Sequence, residues 1–518
     1  MGRRFGPQFL FEALKLGIFC AFVGFVSQTL RAADDSVRLK YQAGPLIHDF
    51  DLTLKTGVRR EAAGPFYYEE ESGSQEQWAF PPFVSRTWND DMDYEEIDVL
   101  YPFVTYDRFG KDSRVQLMQL FSLSDSTEQD ESVRNKLTIF PFYFQQRSTN
   151  EALNYTALMP FYGTVRNRML RDEVKVVMFP LYSMTRKRDV RTHNYAYPFF
   201  HLRRGVNLRG WQLWPLVGDE VKKPYTTNDY LGLEVFMPGH RKQFAAWPFM
   251  YRNHTGIGST NEAKETTVIG LFNVLRSPAR DSTAVLWPFF RYVNDREQKY
   301  REWGFPYPFW GIARGEGKYM NRAFPLYSYA ENHEQSSGSI LWPLLKTQTV
   351  DNEDLVRRRQ RVMFFLFNNL REHNPQTGKK LHRQDLWPLY SYRKANGQSR
   401  LQVLSILAPV IANNRGIERN WSPLWAIWRS ENNEDTQTRA ESLLWNLWRR
   451  KVSPEERVSS YFFGLLNTRK TADGTRWRWF HPVRKSDDVP EPDSKTSGLQ
   501  PGFGPIQIRP VSAGQYRS

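Results

Sequence analysis

One short motif recurs along most of the chain: an aromatic or apolar residue, a proline, a phenylalanine or leucine, and a further aromatic or apolar residue. Copies with the proline read LYPFVTY at Leu100, IFPFYFQ at Ile139, LMPFYGT at Leu158, MFPLYSM at Met178, AYPFFHL at Ala196, LWPLVGD at Leu213, AWPFMYR at Ala246, LWPFFRY at Leu286, PYPFWGI at Pro306, AFPLYSY at Ala323, LWPLLKT at Leu341 and LWPLYSY at Leu386. Copies without it start at Ile269, Phe364, Leu443 and Phe462. The central prolines return every 15 to 20 residues, and such self-similarity indicates a repeat architecture.

Each copy has the length and composition of a β-strand. The copies are rich in Trp, Tyr, Phe, Val and Ile, and polar tracts such as RSTNEALN and RKANGQSR bound them, which is the pattern of strands separated by turns. A proline in the middle of a helix of this length would cost about 3 kcal/mol. We therefore predict an all-β fold, a repetitive antiparallel array of about 20 short strands.

The prolines restrict how such strands can pair. Proline donates no backbone hydrogen bond, so in sheets it stays at edges, strand starts and bulges. Two placements remain open. Each strand can begin at the proline, with the preceding aromatic residue at a corner, or the prolines can form a ring of bulges at one level of a barrel. In LWPLYSYR at Leu386 both faces are apolar at first, and only the second half has a polar face.

Two architectures accommodate the array. A closed up-and-down barrel suits strands of about ten residues in an exported, aromatic-rich chain, and closure removes exposed sheet edges. Prolines inside the strands, partial alternation and a polar C-terminal tail weigh against it. The alternative is a soluble propeller-like or solenoid β-repeat, in which aromatic residues stack between neighbouring units. We predict the closed barrel first.

The N-terminus has the order of a secretory signal. Arg3 and Arg4 precede an apolar run from Leu16 to Val26, and Ala32-Ala33 offer small residues for cleavage. We predict a signal peptide over 1–33, with an uncleaved anchor as the alternative. The single cysteine, Cys20, lies in that run, so the exported chain would lack disulfides and thiol chemistry. We further predict irregular N-terminal strands or a cap over 34–98, a β-repeat domain over 99–484, and a flexible tail over 485–518.

Charge and hydropathy limit the class of protein. Charged residues make up 25% of the chain and the mean hydropathy is −0.62, which excludes a helical membrane protein. The formal net charge is +15, but Arg and Lys alternate with Asp, Glu and Asn after nearly every strand. That mixture favours ordinary solvated loops over a nucleic-acid surface.

No chemical motif stands out. The nine histidines are scattered, and neither HExxH nor GxSxG occurs. The glycine segments GIGST at Gly256 and RGEGK at Arg314 favour plain turns. Acidic clusters at Asp90-Asp91-Asp93 with Glu95-Glu96, and at Glu69–Glu71, suit a divalent cation but favour solvated loops. We predict no catalytic, cofactor-binding or metal-binding residues, no cofactor, no nucleic-acid partner and no enzymatic activity.

Aromatic residues interleaved with arginine follow Trp428 and Trp448 and recur from Arg476. They suit stacking on sugar rings or bases. Packing of aromatic side chains beside snorkelling arginines is the favoured interpretation.

The WPLY- and FPLYS-type repeats resemble an uncharacterised class of exported bacterial repeat proteins, over most of 40–484, and the general pattern resembles outer-membrane β-barrels. The resemblance implies no activity. We predict a non-enzymatic cell-envelope protein, an outer-membrane β-barrel that acts as a pore or structural element, with membrane lipid as its partner. The alternative is a soluble scaffold in the periplasm or on the cell surface that binds an acidic glycan or a protein partner.

Overall fold

The computed structural model describes residues 43–479, apart from residues 63, 128–132 and 229–231. The predicted signal peptide and flexible tail lie outside the described residues, as does Cys20. The described chain is almost entirely β-structure, with 44 strands of four to eight residues. Four short helical segments interrupt it: 3₁₀ turns at Gly64–Phe66 and Glu151–Leu153, and α-helices α1 (Arg415–Asn420) and α2 (Ser422–Trp425).

The first half of the chain forms β1 (His48–Asp51), β2 (Val58–Ala62), β3 (Tyr67–Ser72), β4 (Gln75–Phe80), β5 (Val84–Asn89), β6 (Tyr94–Val99), β7 (Val104–Phe109), β8 (Asp112–Leu117), β9 (Phe121–Thr127), β10 (Val133–Ile139), β11 (Tyr143–Ser148), β12 (Tyr155–Leu158), β13 (Tyr162–Arg168), β14 (Arg171–Val177), β15 (Tyr182–Lys187), β16 (Val190–Tyr195), β17 (Phe200–Arg204), β18 (Leu208–Leu213), β19 (Val217–Lys222), β20 (Tyr225–Asn228), β21 (Glu234–Met237) and β22 (Gly239–Ala245).

The second half forms β23 (Met250–Ile257), β24 (Ala263–Val268), β25 (Phe272–Arg276), β26 (Arg280–Val285), β27 (Phe290–Asp295), β28 (Tyr300–Gly304), β29 (Trp310–Gly315), β30 (Tyr319–Ala323), β31 (Tyr327–Glu331), β32 (Gln335–Ile340), β33 (Leu345–Asp351), β34 (Val356–Val362), β35 (Phe367–His373), β36 (Lys380–Leu386), β37 (Tyr390–Ala395), β38 (Gln398–Val403), β39 (Trp428–Asn433), β40 (Thr438–Leu443), β41 (Trp448–Val452), β42 (Arg457–Tyr461), β43 (Leu466–Thr471) and β44 (Gly474–Trp479).

Forty-two of these strands form one antiparallel sheet in which neighbours in sequence are neighbours in space. The exception is the hairpin of β20 and β21, a separate two-stranded sheet inserted between β19 and β22, which pair directly. The prediction of an all-β, repetitive antiparallel array is confirmed. The predicted count of about 20 strands is wrong, because each repeat of 15 to 20 residues contains two strands and not one.

The repeated motif forms a turn, which corrects its interpretation as a strand. In the copy at Leu286, β26 ends at Val285 and β27 begins at Phe290. The Phe289 amide donates to the Leu286 carbonyl at 3.0 Å, and the Trp287-Pro288 peptide is cis, as in a type VI turn. A proline in a turn removes no hydrogen bond of the sheet. Of the two placements left open, the structure is closer to the one with the aromatic residue at a corner.

Strict alternation of strand direction brings all these turns to one edge of the sheet. Even-numbered strands, β20 excepted, run towards this edge, which we call the aromatic edge, and copies without the proline such as Met363–Leu366 also lie there. Neighbouring turns are hydrogen-bonded to each other: the Ala246 amide donates to the Leu216 carbonyl at 2.6 Å. Odd-numbered strands end at the opposite edge in mostly polar turns, and we call it the polar edge.

The two faces of the sheet differ in composition. In β15–β18, Ser183, Asn194, His201 and Gln212 lie opposite one another on one face, whereas their chain neighbours on the other face are apolar or aromatic apart from His193. The polar face is the inner face of a curl, because on it the first strands of the sheet pack against the last. Two small apolar clusters are buried on it, one of which contains Val293, Ala313 and Met320.

Within residues 43–479 the sheet is not closed by strand pairing: β1 pairs only with β2, and β44 only with β43. The predicted closed barrel is therefore wrong. A single 42-stranded sheet also differs from the separate small sheets of a propeller. Side chains bring the ends together, since the Arg449 guanidinium lies 3.9 Å from the centre of the Phe50 ring and the Asn433 amide donates to the Thr53 carbonyl at 3.2 Å.

One long insertion reinforces this contact. Residues 404–427 replace the short turn between β38 and β39 and contain α1 and α2; we call them the clasp. The clasp connects two strands in the C-terminal part of the sheet and packs on strands of the N-terminal part, among them β3, β5 and β6. The Trp421 indole donates to the Tyr101 carbonyl at 2.9 Å, and the Tyr68 hydroxyl donates to the Arg419 carbonyl at 2.9 Å.

Candidate functional site

The outer face carries a continuous apolar row beside the aromatic edge. From β5 to β44, the residue of each strand closest to this edge is apolar or aromatic, with Phe305 taken just after β28. The row is Val84, Val99, Val104, Leu117, Phe121, Ile139, Tyr143, Leu158, Tyr162, Val177, Tyr182, Tyr195, Phe200, Leu213, Val217, Ala245, Met250, Val268, Phe272, Val285, Phe290, Phe305, Trp310, Ala323, Tyr327, Ile340, Leu345, Val362, Phe367, Leu386, Tyr390, Val403, Trp428, Leu443, Trp448, Tyr461, Leu466 and Trp479.

The turns extend this apolar surface beyond the strands. Leu181 is 63% exposed, Leu216 61% and Phe199 51%, and each is the last residue of its turn. Water-soluble monomers rarely expose contiguous apolar patches larger than a few hundred Å². An apolar row that runs along 38 paired strands exceeds that by a wide margin, so this edge is the candidate functional site.

Rings from successive turns contact each other along the edge. The Trp214 and Trp247 ring centres are 5.6 Å apart, and those of Phe324 and Trp342 are 5.5 Å apart. Such tilted pairs add about 0.5–1.5 kcal/mol beyond area burial. The aromatic side chains therefore restrict one another's conformations and form a continuous surface, and part of each ring remains exposed.

On the inner face, the clasp forms a buried charge cluster with β5 and β6. Arg419 donates to Thr87 Oγ1 at 2.9 Å, to both oxygens of Glu96, and to Asp98. Although burial opposes it, hydrogen bonds and charge from Arg419 hold the pKa of Glu96 below its usual range. Burial raises the pKa of Asp98 against the effect of the same arginine. The cluster explains why β5 and β6 carry polar side chains that are almost fully buried.

A second group of titratable residues lies on the inner face over β16–β22. The imidazole of His201 bonds to Asn194 Oδ1 at 2.5 Å and to the Pro198 carbonyl at 2.7 Å, and burial lowers its pKa. Although burial opposes it, hydrogen bonds from His240 and Arg203 lower the pKa of Glu220 to about 2. The side chains of His201 and Glu220 are hydrogen-bonded to neighbouring residues of the sheet, so we assign them a structural role.

Burial of His48 makes the stability of the contact between the two ends of the sheet depend on pH. It is 2% exposed, and burial, helped by Arg449, lowers its pKa to about 3. In the described part of the chain neither ring nitrogen has a hydrogen-bond partner. Below pH 6.5 the unfolded state binds a proton that the folded state excludes, so stability is lost as the pH falls from 6.5 towards 3.

We expect the free energy of opening β1 to be about 2 kcal/mol lower at pH 5 than at pH 7. Hydrogen exchange of the β1 and β2 amides, corrected for the intrinsic rate at each pH, measures it. His48→Phe removes no side-chain hydrogen bond and keeps an aromatic ring that does not titrate, so it should abolish this dependence. An unchanged dependence in the variant would assign it to other groups.

Several carboxylates of the acidic clusters singled out in the sequence form ion pairs. Arg108 pairs with Asp93 at 2.6 Å and with Glu95 at 3.4 Å, and Glu96 belongs to the Arg419 cluster. Among Glu69–Glu71, Glu70 pairs with Lys55 at 2.5 Å and with Arg59 at 3.2 Å. Across the residues that the structure describes, no three His, Cys, Asp or Glu side chains converge as a metal site would require.

The other singled-out segments also have structural places. Gly256 and Gly258 lie at the turn between β23 and β24 on the polar edge, where Ser259 Oγ donates to the Gly256 carbonyl. Gly315 and Gly317 lie at the turn between β29 and β30 on the same edge. The Trp428 and Trp448 rings stack at 6.0 Å on the outer face. Of the segment from Arg476, the part up to Trp479 lies in β44.

Sequence reasoning missed two features of this surface. The first is the aromatic edge itself, because the motif was assigned to strands. The polar tracts carried the missing signal. Each repeat contains one apolar motif and one polar tract, and if both are turns, each repeat contains two strands. The second is the Arg419 cluster, whose partners are more than 300 residues apart and leave no local signal.

No helix in the described ranges has the length and hydropathy of a membrane span. No family model matches the sequence, and no curated protein matches it.

Proposed function

We propose that this chain is a non-enzymatic structural protein of the cell envelope that sits on a membrane through its aromatic edge. The observation that carries the proposal is the unbroken apolar row on the outer face, continued by exposed Leu, Phe and Trp side chains in the turns. The export signal predicted over 1–33 supports an envelope location, and the outer membrane is the membrane we propose.

The height of the apolar surface favours insertion into one leaflet. Strands of four to eight residues are shorter than the 9–11 residues that a membrane-crossing β-strand needs. The nearest outer-face row is apolar or aromatic throughout and most turns beside it are too, whereas the next row mixes apolar with polar residues. Interfacial segments bury their apolar side about 5–10 Å into the boundary between headgroups and acyl chains, which suits an edge of this depth.

Intrinsic tryptophan fluorescence tests the proposal, because Trp214, Trp247, Trp287, Trp342 and Trp387 all precede prolines of the aromatic edge. We expect the purified protein to float with phospholipid vesicles and its emission to shift to the blue. Vesicles with bromine on the acyl chains should quench that emission. Vesicles with bromine-free lipids are the control.

If the protein stays at the bottom of the flotation gradient, or its tryptophans are not quenched, the proposed association of the aromatic edge with a membrane is wrong. A soluble scaffold for an acidic glycan or a protein partner would then become the better proposal. The predicted pore stays a prediction, and ion conductance across planar bilayers tests it separately.

A further inference from the structure

The outer face changes from apolar to cationic over four residues. In β15–β18 the row beside the aromatic edge is Tyr182, Tyr195, Phe200 and Leu213, the next row is Met184, His193, Leu202 and Trp211, and the third row is Arg186, Arg191, Arg204 and Arg209. At about 3.4 Å per residue, the third row lies about 14 Å above the first.

The four arginines form a straight line across neighbouring strands. Arg186 lies opposite Arg191, Arg191 opposite Arg204, and Arg204 opposite Arg209; we call them the arginine ladder. Like charges directly opposite in a sheet are destabilising. Among the described residues, Glu173 pairs with Arg186 at 3.5 Å, and no carboxylate lies within ion-pair distance of the other three.

The ladder is the densest part of a basic row that follows the whole sheet. At the third outer-face position from β5 to β44, eighteen strands have Arg or Lys and five have Asp or Glu. The basic residues are Arg108, Arg147, Arg166, Arg186, Arg191, Arg204, Arg209, Arg241, Lys264, Arg276, Arg301, Arg314, Arg358, Arg371, Lys394, Arg439, Arg457 and Lys470.

Given the proposed function, we infer that the arginine ladder binds the phosphate groups of anionic lipids in the leaflet that the aromatic edge enters. The hydrocarbon core of one leaflet is about 15 Å thick, half of the whole. With the first row about 5–10 Å below the boundary between headgroups and acyl chains, cations about 14 Å higher lie about 4–9 Å above that boundary, at the level of the headgroups. Guanidinium groups bind phosphate through two parallel hydrogen bonds, and a bound phosphate relieves the repulsion within the ladder.

The acyl chains and the phosphate would occupy different rows of the same strands. Leu202 and Trp211, directly below the ladder, offer apolar surface to the chains, and Trp211 is 45% exposed. A soluble phosphate compound would use only the arginines. A lipid uses both, so the inference commits to lipid and makes free phosphate an outcome of the test.

Site-resolved cross-linking tests the inference. The full-length protein is bound to phosphatidylcholine vesicles that contain phosphatidic acid with a photoreactive group near its headgroup, and cross-linked peptides are identified by mass spectrometry. In parallel, the same group is placed on phosphatidylcholine. We expect cross-links to β15–β18 to be several-fold stronger with phosphatidic acid.

The test variant is Arg191→Gln with Arg204→Gln. A basic residue near an anionic surface strengthens its binding about five-fold, so the double variant should lose roughly 25-fold of the phosphatidic acid cross-links at β15–β18 relative to the rest of the edge. The control variant, Lys242→Gln with Lys346→Gln, removes the same charge from exposed residues of the inner face and should change nothing there.

Each other outcome overturns the inference. Equal cross-linking by both lipids, or an unchanged signal in the Arg191/Arg204 variant, would remove the ladder as a lipid site. An equal loss in the control variant would indicate general electrostatics. Loss of the cross-links on adding glycerol phosphate would assign the ladder to free phosphate. Cross-links at the aromatic edge without lipid preference would leave the proposed function intact, whereas no cross-links anywhere would end both.

Discussion

Arg419→Ala is expected to lower the free energy of opening β5 and β6 by about 3–5 kcal/mol, because it leaves the buried carboxylate of Asp98 and the largely buried carboxylate of Glu96 without their cation. Arg419 is 6% exposed and Asp98 is fully buried. Arg419 also bridges Glu96 and Thr87, so alanine removes four hydrogen bonds at once. In the part of the chain that the structure describes, no pairing between strands joins the two ends of the sheet, and the clasp carries much of what holds them together.

Native-state hydrogen exchange measures this effect strand by strand, which suits a long sheet whose parts open separately. The control is Arg439→Ala. Arg439 pairs with Glu441 at 2.6 Å, but its side chain is 62% exposed, and exposed pairs contribute about 0–1 kcal/mol. A loss below 1 kcal/mol for Arg419→Ala would mean that the clasp does not hold the ends together.

Neutralising the partners separates lost charge from lost packing. In the triple variant Arg419→Met with Glu96→Gln and Asp98→Asn, no charge stays buried in the cluster. Replacing a buried ion pair by uncharged groups of similar volume is often close to neutral. We therefore expect the triple variant to recover most of the stability that Arg419→Ala loses.

The residue composition of short segments was enough to predict the all-β fold class, but it did not give the correct number of strands. Polar tracts, β-branched residues and aromatic residues predict strands wherever they lie along the chain. The motif at Leu286 is also rich in such residues, so composition alone assigned it to a strand. Its proline was the contrary signal, since a residue that cannot donate to a sheet is suited to a turn. Giving that signal more weight would have doubled the strand count.

Closure and the site depended on contacts that sequence does not encode locally. Whether the ends of a 42-stranded sheet pair or only pack depends on side chains such as Arg449 and Phe50, which meet across almost the whole chain. The outer-face row became visible only with the register, because a shift of one residue moves every side chain to the other face. Once the register is known, the basic row follows directly from the sequence.

The aromatic edge and the basic row together predict an orientation that a single hairpin can report. The β17–β18 hairpin has Val206 in its turn at the polar edge, and β18 runs on to Leu216 in the turn at the aromatic edge. Val206 is 85% exposed and Leu216 61% exposed, so a label at either site should not disturb packing. The seven residue-to-residue steps from Val206 to Leu213 span about 24 Å, more than the hydrocarbon thickness of one leaflet.

Single cysteines at these two sites are therefore expected to behave in opposite ways on vesicles. With Cys20, the only cysteine of the chain, changed to Ser, Leu216→Cys and Val206→Cys are each labelled with an environment-sensitive fluorophore. The Leu216 label should shift to the blue and lose most of its emission to quenchers on the acyl chains, because its surroundings become apolar. The Val206 label should stay open to a water-soluble quencher such as iodide. Protection of both labels from iodide would mean that the sheet crosses the bilayer, and exposure of both would mean that the aromatic edge faces a protein or water.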